Sequence, residues 1–148
     1  MNAETLTKFY TDDHHRLDSL FVVFQDFKGK DPERAKEAFQ AFRDGLEQHM
    51  AWEEAILFPE YEDWVKNPDD SVTEELRTEH AQILDQLGII EEKLKQGDFQ
   101  TAKDEARLLK YLGAHNRSEE SGLYLKMDVL LTEEERDDIY TRMKQAAW

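Results

Sequence analysis

The chain has no cysteine. Disulfides, thiolate metal sites, iron–sulfur clusters and cysteine nucleophiles are thereby excluded. Glycine and proline are scarce, six and three in 148 residues, so the breaks between regular segments are few and readable. Long apolar runs are missing too, and a bilayer-crossing helix needs about 20 such residues. Met1 to His15 is polar without an apolar run, so no signal peptide is expected. Positive charge is in the minority. The net charge of −15 repels phosphate and argues against nucleic acid and anionic membranes as partners. These absences leave a cytoplasmic protein as the expectation. Residues 1–148 suit one domain, long enough to bury a core without disulfides.

The few breaks divide the chain cleanly. Gly29-Lys30 ends a first segment, and Asp31-Pro32 opens a second with an N-cap and a proline at the first helical position. Asn67-Pro68-Asp69-Asp70 is a loop, and Ser71-Val72-Thr73-Glu74 has the form of a capping box. Gly97-Asp98 separates the third segment from the fourth, and Thr132-Glu133-Glu134-Glu135 reads as a further capping box. Between breaks, apolar residues recur at three and four, as in Leu76, Ile83, Leu87, Ile90 and Leu94. This predicts an all-α fold without a sheet. It is an up-down-up-down antiparallel four-helix bundle over about 3–128, with a short fifth helix over about 132–147. The fifth helix, with Ile139, Tyr140 and Met143, either caps the bundle or forms an oligomer contact such as a homodimer; the sequence leaves both open.

The chain repeats itself at a shift of 66 residues. His14 superposes on His80, His49 on His115, Glu53 on Glu119 and Glu54 on Glu120. Around them Leu17 falls on Ile83, Phe21 on Leu87, Leu57 on Leu123 and Phe58 on Tyr124. Each of these histidines occupies the apolar stripe of its helix, and His49 and Glu53, like His115 and Glu119, share one face a turn apart. Counted from the turns, each antiparallel pair brings its histidines to about the same height. His15 is rotated about 100° from His14 and breaks the repeat, so it is read as a surface residue. By helical position Glu54 and Glu120 turn off the stripe, and Glu119 is favoured over Glu120. Asp13 and Glu79 precede the two lone histidines and either orient an imidazole N–H or face solvent. Tyr10 and Tyr111 are read as core, and Pro59 as a residue that kinks or ends its helix.

Burying two carboxylates and four imidazoles in an apolar bundle is unfavourable unless something neutralises and ligates them. Two metal ions do both: neutral imidazoles suit first-row metals, and carboxylates can bridge. By the internal symmetry each ion receives two histidines and a share of both glutamates. The ferritin-like arrangement needs Glu-x-x-His, and the zinc-protease one needs His-Glu-x-x-His. Neither is present here.

Asp13-His14-His15-Arg16-Leu17-Asp18, the run His49 to Pro59, Glu79-His80 and the run His115 to Tyr124 resemble the hemerythrin-like family, the HHE cation-binding domain. The resemblance covers most of the chain, from His14 to Tyr124. It implies a non-haem di-iron centre, oxo- or hydroxo-bridged, in a four-helix bundle. It makes His14, His49, His80 and His115 terminal ligands, with Glu53 and Glu119 bridging. The family's oxygen carriers use a fifth histidine four residues from the third-helix ligand; here Leu76 and Leu84 stand on either side of His80. The set is closest to the four-histidine, two-glutamate bacterial type. With near-equivalent halves, both irons are expected to be alike and open to a small diatomic ligand or peroxide. The implied function is to bind or sense oxygen, nitric oxide or iron. The alternatives are a di-iron oxidoreductase acting on peroxide, oxygen or nitric oxide, an iron-centre repair or iron-donor protein, and a merely structural metal site.

Overall fold

Helix α1 (Leu6–Phe27) starts where Thr5 caps it, accepting from the Lys8 N–H, and where Asp128 accepts from the N–H groups of Leu6 and Thr7. This computed structural model describes residues 4–146, so residues 3 and 147, named above as limits of the bundle and of the last helix, lie outside the described residues. Helix α2 (Pro32–Trp52) opens on the expected Asp31 cap with Pro32 behind it. A π-helical turn, Glu53–Leu57, follows without a break and leads into α3 (Phe58–Val65). Pro59 therefore does not end the ligand helix. Lys66, in the left-handed conformation, does.

Helix α4 (Val72–Lys95) differs from expectation at its start. Ser71 stands at the cap, but its side chain bonds no backbone N–H. Its hydroxyl reaches Glu75 instead, and Asp70 accepts from the Val72 N–H. At the other end Gly97 takes φ +77° and the Asp98 N–H closes back on Lys93 O, the glycine-dependent helix stop. Helix α5 (Ala102–Ser118), a second π-helical turn Glu119–Leu123, and α6 (Tyr124–Leu130) form one rod. Helix α7 (Glu133–Gln145) carries the predicted capping box, with Thr132 and Glu135 bonding reciprocally.

The four rods pack as expected, α1 on α2, α4 on α5, and α1 on α6, into an all-helical bundle. The core is in two parts. One apolar cluster joins Leu17, Phe21, Phe24, Phe39, Phe42, Leu46, Ile83, Leu87, Ile90, Leu108 and Leu112. The other joins Leu6, Tyr10, Ile56, Leu57, Phe58, Leu76, Leu123, Tyr124 and Met127 with Ile139 and Met143 of α7. The histidines and the inner glutamates fall where the two clusters meet. Helix α7 thus closes the second cluster, the capping role among the two the sequence left open. Trp52 donates to Met143 O and Tyr140 to Glu4 O. Among the described residues no helix is long and apolar enough to cross a membrane.

Ile139 is 1 % exposed beneath α7. Truncating it to alanine should cost about 2–5 kcal/mol of stability, measured by denaturant unfolding. A loss near zero would mean that α7 does not close the core.

Candidate metal centre

Each π-helical turn begins at an inner glutamate. The Phe58 N–H bonds to Glu53 O, and the Tyr124 N–H to Glu119 O, so both hydrogen bonds span five residues. Such turns insert one residue into a helix and occur often at functional sites. In an α-helix a residue five positions on is rotated by about 140°. The wider turn brings it back onto the inward face. Phe58 and Tyr124 are consequently both buried. The second turn forms with no proline in or after it, so such a turn does not require one.

All six predicted residues converge. His14, His49, His80 and His115 are 1–3 % exposed, and Glu53 and Glu119 are 0 % exposed. His14 Nε2 lies 3.1 Å from His49 Nε2 and 3.4 Å from Glu119 Oε1. His80 Nε2 lies 3.1 Å from Glu53 Oε1, and His115 Nε2 3.1 Å from Glu119 Oε1. His49 Nε2 is 3.6 Å from Glu53 Oε1. Two groups of possible ligand atoms result, each within 4.8 Å: Glu53, His80, His115 and Glu119; and His14, His49 and Glu119. They share Glu119. His15 is exposed, as expected.

Behind the histidines lies a ring of four carboxylates. Asp13 of α1 pairs with His49 Nδ1 on the next rod at 2.7 Å. Glu54 pairs with His80 Nδ1 at 2.9 Å, and Glu79 with His115 Nδ1 at 2.7 Å. Glu120 pairs with His14 Nδ1 at 2.7 Å and closes the ring. Each rod therefore hands a carboxylate to the histidine of its neighbour. An ionised carboxylate only accepts, so each Nδ1 carries a hydrogen and each neutral imidazole turns its Nε2 lone pair inward. This resolves two open points of the sequence. Glu119 faces in and Glu120 faces the back of His14, and Asp13 and Glu79 orient imidazoles rather than facing solvent.

The inner atoms are then almost all acceptors. Two imidazole lone pairs facing at 3.1 Å repel unless a positive charge lies between them. Glu119 Oε2 is buried with no hydrogen-bond partner. Such a donor set fits a first-row metal ion. Protons take up the same role in its absence. Burial disfavours charge on His115, but the Glu119 carboxylate outweighs it and pushes the imidazole up to about 9. His14 and His80 are raised in the same way, burial being outweighed by Glu119 and Glu53 respectively. Burial and the Glu119 charge push Glu53 above the usual carboxylate range. Glu119, despite its burial, is held well below that range by Glu53, His115 and His14.

The residue that sequence reasoning missed is Tyr124. Its hydroxyl donates to Glu53 Oε2 at 2.6 Å and lies 2.9 Å from Glu119 Oε1 and 3.5 Å from His14 Nε2. Burial and both glutamate charges push this phenol well above its usual range. Tyr10 stacks on Tyr124 at 4.9 Å and meets His49 edge-on at 5.1 Å, while its hydroxyl reaches Met143 Sδ. Tyr10 is thus packing, as expected, although it packs against the site. The counterpart of Tyr124 is Phe58, which stacks on His80 at 5.6 Å. The near-equivalence expected of the two halves is broken at this position. The only trace of it in the sequence is one hydroxyl in the Phe58–Tyr124 match of the repeat.

Removing a carboxylate of the outer ring should free an imidazole to rotate or change tautomer. Asp13→Ala and Glu79→Ala should each weaken cation affinity by about 10–100-fold, read from metal titration. His15→Ala should leave it unchanged. Equal effects from His15→Ala and Asp13→Ala would contradict the assigned register.

No curated protein and no solved structure matches the chain. The family model described as the hemerythrin HHE cation binding domain matches residues 5–127. With the model spanning the bundle and every convergent histidine and glutamate, the chain belongs to the hemerythrin HHE cation-binding domain family.

Proposed function

We propose that the chain forms a single domain binding two iron ions and serves as a di-iron module for a small ligand: oxygen, nitric oxide or peroxide. His14 and His49 hold one ion and His80 and His115 the other, with Glu53 and Glu119 shared. The observation that carries this reading is the pair of buried ligand groups that meet at Glu119. When bound, the irons supply redox chemistry and open coordination positions. The protein supplies the rest. The outer carboxylates fix the imidazole tautomers, and the two apolar clusters exclude bulk water. Side chains only 0–3 % exposed leave no room for a bulky organic substrate, which favours diatomic ligands and peroxide. The Tyr124 hydroxyl favours a second reading, a di-iron oxidoreductase, because it places a proton donor among the ligands.

Iron analysis after anaerobic reconstitution should give about two ions per chain, and His49→Ala or Glu53→Ala should remove at least one. No iron uptake would sink the reading. Exposing the reduced, loaded protein in turn to oxygen, nitric oxide and peroxide separates the functions. A stable optical adduct indicates binding, and sustained turnover indicates an enzyme.

The histidine shifts also set a pH dependence. A histidine raised in the folded state stabilises it fully below its unfolded value of 6.5, and that stability is lost as pH rises through the folded value, about 9 for His115. The metal-free protein should therefore lose thermal stability between pH 6.5 and 9. Cation affinity should run the other way and weaken as pH falls, because protons compete for Nε2. Metal-free stability rising across that window would contradict the protonated imidazoles.

A further inference from the structure

The two halves of the cluster are built from matching residues and face the same two oxygens, Glu53 Oε1 and Glu119 Oε1, yet at unequal distances, and among the histidines Glu53 groups only with His80 and His115. Glu53 Oε1 faces His80 Nε2 at 3.1 Å, and Glu119 Oε1 faces His115 Nε2 at 3.1 Å. The His80–His115 half therefore has a carboxylate oxygen at each imidazole. In the His14–His49 half the corresponding distances are 3.4 Å from His14 to Glu119 Oε1 and 3.6 Å from His49 to Glu53 Oε1. The second oxygen of Glu53 does not help, because the Tyr124 phenol donates to it at 2.6 Å, with Glu119 Oε1 farther off at 2.9 Å. The repeat places Phe58 at the matching position of the other half. There the ring stacks on His80 at 5.6 Å, with the Arg77 guanidinium 5.3 Å from the Phe58 centroid. A phenyl ring makes no claim on a carboxylate oxygen.

Resting on the two-ion reading above, we propose that Tyr124 makes the two cation positions unequal. The His80–His115 position fills first and tightly. The His14–His49 position fills second and weakly, because the phenol holds the Glu53 oxygen that would complete it. Tyr124 is in this sense a specificity-determining residue. Its hydrogen bond to Glu53 is set against the second cation, and its hydroxyl stands 3.5 Å from His14 Nε2, beside the position left less saturated. That half is where an incoming small ligand meets both an incompletely satisfied cation and a donor. The inequality is a property of the resting protein and needs no redox step.

Titration of the metal-free protein with zinc(II), a redox-inert probe, against a chromophoric chelator tests this. The wild type should take up zinc in two resolved steps, one ion each. His14→Ala should remove the weaker step, and His80→Ala the tighter one. Tyr124→Phe frees the Glu53 oxygen and should tighten the second step by about tenfold, the worth of one charge-assisted hydrogen bond, drawing the two steps together. Helical content of each variant is checked by circular dichroism, and the two histidine variants test the order of filling whether or not Tyr124→Phe folds. Two equal ions in the wild type, loss of the tight step in His14→Ala, or an unchanged gap in a folded Tyr124→Phe would each overturn the proposal. These outcomes leave the two-ion reading intact. Absence of any zinc uptake overturns the proposal, whereas the two-ion reading falls only if iron is not taken up.

Discussion

Four imidazole Nε2 atoms and two carboxyl groups face one another in the middle of an apolar bundle, and their lone pairs have to be met by positive charge. That requirement organises the molecule. In water the same groups would be solvated; at 0–3 % exposure they depend on protons or a cation. Without a cation, protons meet the demand, and the inner glutamates accordingly push His14, His80 and His115 up. The donor set shows what else fits: imidazole and carboxylate ligands suit first-row metals better than magnesium or calcium, which prefer all-oxygen sites.

The ring of outer carboxylates makes the arrangement work on all four rods at once. Asp13, Glu54, Glu79 and Glu120 each sit next in sequence to an inner ligand, yet each serves a histidine on a neighbouring rod. A shift of any rod along its axis would break two such pairs together, one given and one received. The ring is therefore a register device as well as an electrostatic one. It lies at the boundary between the two apolar clusters, where hydrophobic packing alone would let a rod slide.

The inner ligands were legible in the sequence because period and repeat agreed. A histidine at the missing step of an apolar stripe has to point inward, and the shift of 66 residues named its partner. The capping at Asp31 and at Thr132–Glu135 was legible for the same reason, since cap chemistry is local. Ser71 shows the limit of that locality. It matches the capping-box pattern, but its hydroxyl turns to Glu75, and Asp70, one residue earlier, accepts from the Val72 N–H instead. The π-helical turns were not legible. Arithmetic at 100° per residue rotates Tyr124 away from Glu119, and only a wider turn returns it to the site. No single residue demands that turn, since Pro59 is present in one copy and absent from the other. Tyr124 therefore entered only as the repeat partner of Phe58, and the two halves read as near-equivalent.

The account stands on cations lying between the paired histidines. Anomalous X-ray scattering at the iron edge, on crystals of the reconstituted protein, tests that directly. The account predicts two iron peaks, one beside His14 and His49 and one beside His80 and His115, with Glu53 and Glu119 between them. Iron at the outer carboxylates such as Glu54 or Glu120, or a well-occupied inner cluster without iron density, would contradict it.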